Sequence, residues 1–276
     1  MAEGAPVDVA TVMCQWATGG LAYLWVTTRR REVGLGYGWL LRSLYLAIAG
    51  IGAVTGFVFQ PNAVRDVACV AMALCAGVTL VRSTLPDRMP DATLSGLAER
   101  TEPVSSRTIA GFDPRWDIAA PLAGLVGVAA AGLGASGGIS PALHLARVVV
   151  GAAFLGAVSN SMLLGHWYLV QPGLRREPLR ELVRHLGAIW PIEVGLLLVP
   201  TGMISVLSGS IDDGYGGLLG WFWIACAVTT VALAAVAMAA LRERQYAAVM
   251  AATGLLYLAI MTGFGTDLVA RLTLAG

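Results

Sequence analysis

Ionisable side chains inside hydrocarbon are expensive, and those that persist there usually handle protons, ions or substrate. Few interrupt the apolar stretches of this chain. Glu193 does so in IWPIEVGLLLVP. Pro191, two residues earlier, lacks a backbone N–H, so it kinks the helix and frees carbonyls to line a cavity. About twelve residues from the nearer helix end, Glu193 is placed ~18 Å deep at ~1.5 Å per residue, close to the bilayer midplane. Reflection through the short turn near Gly173–Arg176 sets it opposite Asn160, with Ser159 and Ser161 adjacent. A carboxyl in such a place can bind and release a proton. The alternative is a protonated Glu that only ties two helices together. Gln15 is the matching amide in the first apolar stretch, so Glu193, Asn160 and Gln15 form the candidate polar pathway.

His166, Trp167 and Tyr168 lie together in SNSMLLGHWYLV, and His185 lies in VRHLGAIW. The same reflection sets His166 and His185 at similar depth. Two His on facing helices can ligate a b-type haem. A single His beside aromatic rings also suits a quinone headgroup, and His titrates near neutral pH. Quinone is the better fit and haem b the weaker one. The alternative for His166 is an interfacial aromatic belt, and for His185 a basic rim with Arg180 and Arg184. Towards the opposite face, Arg147 and Asp267 are expected to pair as a buried structural ion pair, with His144 close to Arg147. The four cysteines stand singly, with no spacing for a disulfide or metal site.

The elements that must position these residues are membrane helices. The chain has 276 residues, 57% hydrophobic and 13% charged, against about 25% charged in ordinary soluble chains. Its apolar runs match the ~20 residues that cross ~30 Å of hydrocarbon. Spans are expected at roughly 8–28, 38–60, 63–82, 116–136, 146–171, 181–207, 216–241 and 246–272, an all-α integral membrane fold of eight helices. The net charge of +1 implies no nucleic-acid partner. Every basic residue is Arg, a bias that fits a GC-rich bacterial genome. The first run follows Glu3 and Asp8 with no basic residue before it, unlike a cleaved signal peptide.

Residues 20–32, GLAYLWVTTRRRE, and 165–177, GHWYLVQPGLRRE, share six of thirteen positions at an offset of 145, and Gln15 pairs with Asn160 at the same offset. This reads as a tandem 4+4 duplication, residues 1–136 and 137–276, with the copies parallel about an axis along the membrane normal. The basic short loops (Arg29–Arg31; Arg175, Arg176 and Arg180; Arg242 and Arg244) all fall on one side, so both termini are expected outside a bacterial inner membrane. A polar segment at 83–115 is the place for a cytoplasmic or membrane protein partner; a plain linker is the alternative. His166 and Glu193 occur in one copy only. The expectation is therefore a subunit of a redox or proton-coupled complex with a quinone or proton site at the cytoplasmic end of the fifth span. A proton-coupled small-solute transporter and a structural scaffold subunit are the alternatives.

Overall fold

A computed structural model describes residues 8–85, 112–134, 140–199 and 202–274. These residues are helical and form no strand. The helices are α1 (Val9–Thr28), α2 (Leu35–Phe59), α3 (Ala63–Thr84), α4 (Ala119–Leu133), α5 (Pro141–Val170), α6 (Glu177–Leu198), α7 (Met203–Leu207), α8 (Leu218–Ala240) and α9 (Tyr246–Leu274). A 3-10 turn, Pro114–Ile118, leads into α4. Six helices are long and apolar enough to cross a membrane: α2, α3, α4 with its 3-10 lead, α5, α8 and α9. The chain is thus a multi-pass helical membrane protein. The helices α1 and α6 reach 20 and 22 residues but fall outside that set.

Local signals set the ends. Asp8 accepts from the Thr11 N–H, Asn62 from Arg65 and Ser140 from Leu143, each satisfying an orphan donor of a first turn. The sixth span, expected as one helix to 207, instead stops at Leu198. Val199 is extended (φ −61°, ψ 149°) because Pro200 follows it, and the residue before a proline is driven out of the helical region.

Packing builds two rings. In sequence order α1, α2, α3 and α4 pack on one another, and α4 returns to α1. In the second half α5, α6, α8 and α9 do the same, with α9 returning to α5. The rings join where both α1 and α4 lie along α5. Gly19 and Gly156 make that approach possible: a Cβ on Gly19 would strike the Ala152 carbonyl, and a Cβ on Gly156 the Gly19 backbone. Backbones this close need small residues. The register there differs from a simple two-fold. Gly19 faces Ala152 and Gly156, whereas the residue 145 positions on is Leu164, about two to three helical turns away.

Large apolar side chains on α2, α3, α8 and α9 point outward, among them Phe57, Leu74, Phe222 and Leu258. That band is what lipid covers. One end of the bundle, the terminal face, carries both described chain ends, the α2–α3 connection, the end of α4 and the start of α5. The opposite, loop face is tied by arginines. Arg29 reaches Glu181 at 2.5 Å and Arg30 reaches it at 3.3 Å. Arg180 Nε donates to the Leu241 carbonyl at 3.0 Å, and Arg176 donates to the carbonyls of Glu243, Arg244 and Gln245. Arginines here satisfy carbonyls of the turn between α8 and α9. Arg42, 2% exposed, holds Asp117 with two hydrogen bonds of 2.7 and 2.8 Å and so docks the 3-10 turn on α2. Most of the expected partner loop, residues 86–111, lies outside the described residues.

Candidate functional site: a charged cavity at the terminal face

The ends of α1, α3, α5, α6 and α9 do not close against each other. They leave a cavity of about 460 Å³, lined by charged and apolar groups together. Three arginines reach it, Arg65, Arg147 and Arg271. Arg65 from α3 is 2% exposed and bonds Asp66 (2.9 Å), Asp8 and the Thr11 hydroxyl (3.2 Å). Arg271 from α9 grips Asp267, one turn earlier, with hydrogen bonds of 2.7 and 2.9 Å.

Arg147 is held differently. Its Nε donates to the Leu196 carbonyl at 2.9 Å and its Nη2 to Val199 at 3.0 Å. These are carbonyls left open by the end of α6. The expected Arg147–Asp267 ion pair therefore does not form. Arg271 lies at i+4 from Asp267 and occupies both its oxygens, while the α6 terminus takes the Arg147 fork. Arg147 is the cavity arginine whose hydrogen bonds go to no carboxylate.

Behind this lining stands Glu193, wholly buried, with no hydrogen-bond partner on either carboxyl oxygen. It lies one turn before the lining residue Leu197, hence on the same face of α6, within electrostatic reach of Arg147, Asp267 and Arg271. Because α6 ends at Leu198, Glu193 is five residues, about 8 Å, from the terminal-face end rather than at the midplane. Gln15 joins it. Its Nε2 donates to the Val148 carbonyl at 2.6 Å, and its Oε1 is buried without a partner. A Cβ at Gly151 would sit 3.1 Å from Gln15 Nε2, 3.2 Å from Arg271 Nη2 and 3.3 Å from Asp267 Oδ1. Gly151 thus lets α1, α5 and α9 converge.

Glu193 and Asn160 do not meet. Asn160 donates to the Gly20 carbonyl at 2.7 Å and accepts from the Tyr45 hydroxyl at 3.1 Å. Next to it, the Trp16 indole donates to Ser159 at 2.8 Å. These contacts pin α5 to α1 and α2. A short turn between α5 and α6 sets the relative depth of their residues but not the face each presents, and the Asn160 face of α5 is turned to α1 and α2.

The expected His cluster is also dispersed. His166 is exposed at the bundle surface, with Nδ1 2.8 Å from the Tyr257 hydroxyl on α9. His185 turns to Tyr23 on α1, ring centroids 5.7 Å apart. The two imidazoles face different neighbours, so the arrangement does not fit a bis-histidine haem. Trp167 donates to Gln171 at 3.1 Å and packs near Tyr37. Tyr168 is buried, donates to the Arg175 carbonyl, and its own carbonyl accepts from Tyr246 at 2.9 Å. Both brace the loop face. Arg271 and Arg65 were not among the residues the apolar pattern singled out. Their signal was Arg271 at i+4 from Asp267, and Arg65 beside Asp66 at a helix start.

Compared with protein-family models, characterised proteins and solved structures, the chain matches none.

Proposed function

We propose that the chain is a proton-coupled carrier of a small solute, in which the terminal-face cavity receives the solute and Glu193 receives the proton. Glu193 supports this reading most directly. A fully buried carboxyl with two unpartnered oxygens, behind an open charged cavity, is an unstable place for a fixed negative charge. It is a suitable place for a proton that comes and goes. The cavity volume falls in the range of small-molecule sites. With α1 and α6 counted as spans, the protein has eight, in two four-helix copies, and the arginine loops set both termini outside a bacterial inner membrane. The test is reconstitution into liposomes enclosing a pH-sensitive dye. Solute addition acidifies the lumen in the wild type, whereas Glu193→Gln removes the proton flux. Equal proton flux in that variant refutes the role.

A second reading has its own support. The His166–Tyr257 pair offers two adjacent hydrogen-bonding groups to the lipid phase, as a quinone headgroup in a redox complex would need, with 83–115 as the partner-binding segment. Quinone in a lipid extract of the pure protein, lost on His166→Leu, would favour it.

A further inference from the structure

The charges around the cavity carry information about what it holds. Arg65 faces both Asp66 and Asp8, a group of net charge −1. Arg271 and Asp267 cancel. Arg147 contributes +1 without a carboxylate partner. The His144 Nδ1 lies 3.0 Å from the Gly132 carbonyl, so it carries hydrogen and leaves the ring able to be neutral. The sum is zero with Glu193 protonated and −1 with Glu193 ionised. Arg147 uses Nε and Nη2 on the α6 carbonyls, and its Nη1 has no hydrogen bond among the described residues. A guanidinium edge at a cavity wall, fixed by its other edge, is a receptor for one carboxylate. The remaining wall near it is apolar, with Val148, Leu197, Ala270 and Leu274. The site therefore has a cationic end and an oily body.

We infer that the cavity binds a short-chain monocarboxylate, its carboxylate on Arg147 and its alkyl chain against Leu197, Ala270 and Leu274, with one proton taken up on Glu193 for each anion bound. This rests on the carrier reading of the cavity. The charge count sets the stoichiometry. An empty site with ionised Glu193 and a loaded site with protonated Glu193 both carry −1, so loading adds one anion and one proton and leaves the charge of the cavity unchanged. An anion arriving without the proton would raise it to −2 in a buried space. Carboxylate and proton cross together and no net charge moves.

The experiment is equilibrium binding of butyrate and hexanoate to the purified full-length protein, with butyramide as the neutral control, at a series of pH values. Hexanoate is expected to bind more tightly than butyrate, and butyramide not at all. Through the range in which Glu193 ionises, affinity should fall about tenfold per pH unit, the linkage slope for one proton. Glu193→Gln should bind with a flat pH profile. Arg147→Gln should lose about thirtyfold or more in affinity. Arg147→Lys, which keeps the charge and spares the fold if the glutamine variant fails to assemble, should fall between. Absent carboxylate binding, pH-independent binding in the wild type, or unchanged affinity in both Arg147 variants each overturns the inference. Liposome uptake separates it from the reading beneath it. Proton-coupled uptake of another solute that needs Glu193, without carboxylate binding, sinks the inference and leaves the carrier. Carboxylate binding with unit pH slope but no uptake leaves the site and sinks the carrier.

Discussion

Substituting Gly19 with alanine tests the closest backbone approach between the two halves of the bundle. Gly19 sits where α1 crosses α5, and a methyl there would stand 2.7 Å from the Ala152 carbonyl carbon and 3.2 Å from the Gly156 Cα, with the Ala152 oxygen nearer still. Carbon atoms rest about 3.5–4.0 Å apart, so the two helices must part by about 1 Å. Neither obstacle is a flexible side-chain tip, since both belong to helix backbones. Overpacking of this kind costs about 1–3 kcal/mol and sometimes more. The better helix propensity of alanine returns at most about 1 kcal/mol. The consequence reaches the site as well. Gln15, one turn from Gly19, donates to Val148 at 2.6 Å, and a 1 Å separation breaks that bond and opens the back of the cavity. The assay is unfolding of the purified protein in mixed micelles at increasing SDS, with Gly187→Ala as control, because a methyl at Gly187 meets nothing within 4 Å. Gly19→Ala should unfold at lower SDS, and Gly187→Ala at equal or higher SDS. If Gly19→Ala is as stable as the control, the close approach of α1 and α5 is wrong, and with it the position of Gln15.

Asp117→Asn leaves Arg42, 2% exposed, as a buried cation without its carboxylate, and should cost about 3–5 kcal/mol in the same assay. Replacing Arg42 and Asp117 together by Met and Leu should restore most of it, and an equal loss in the double variant would refute the desolvation argument. Asp213 lies in the connection before α8. Its carboxylate accepts from the N–H groups of Gly217, Tyr215 and Leu219, bonds that hold its pKa below the usual value, Gly217 foremost. A depressed pKa stabilises above the unfolded value of about 3.9, and that contribution is lost as pH falls through the lower folded value. Amide exchange at 215–219 should therefore be protected at pH 6 and lose that protection in strong acid, whereas Asp213→Ala should be unprotected at both. Protection that survives in the alanine variant would count against the cap. Finally, His166→Leu should leave solute uptake intact if the cavity is the working site, and loss of uptake would move the chemistry to the surface pair.

Composition and hydrophobic run length were sufficient for a multi-pass helical membrane protein, because a chain this apolar must satisfy its backbone internally wherever lipid surrounds it. Helix starts were legible for a similar reason: Asp8, Asn62 and Ser140 act on their own first turns, and such contacts lie within a few residues. The sequence also marked the residues that matter at the cavity, Glu193, Gln15, Arg147 and Asp267, since each is a polar group in an apolar stretch. What it could not supply was their partners. Arg147 faces two α6 carbonyls, not Asp267, because α6 ends at Leu198 and opens them there. His166 and His185 have similar expected depth yet look to α9 and to α1. Depth follows from counting residues along one helix. Which face meets which neighbour depends on how the helices rotate and cross, and that was decided by close backbone contacts such as Gly19 against Gly156. The sequence determined which side chains are costly to bury, and the tertiary structure decided which of them are left without a partner beside an open cavity.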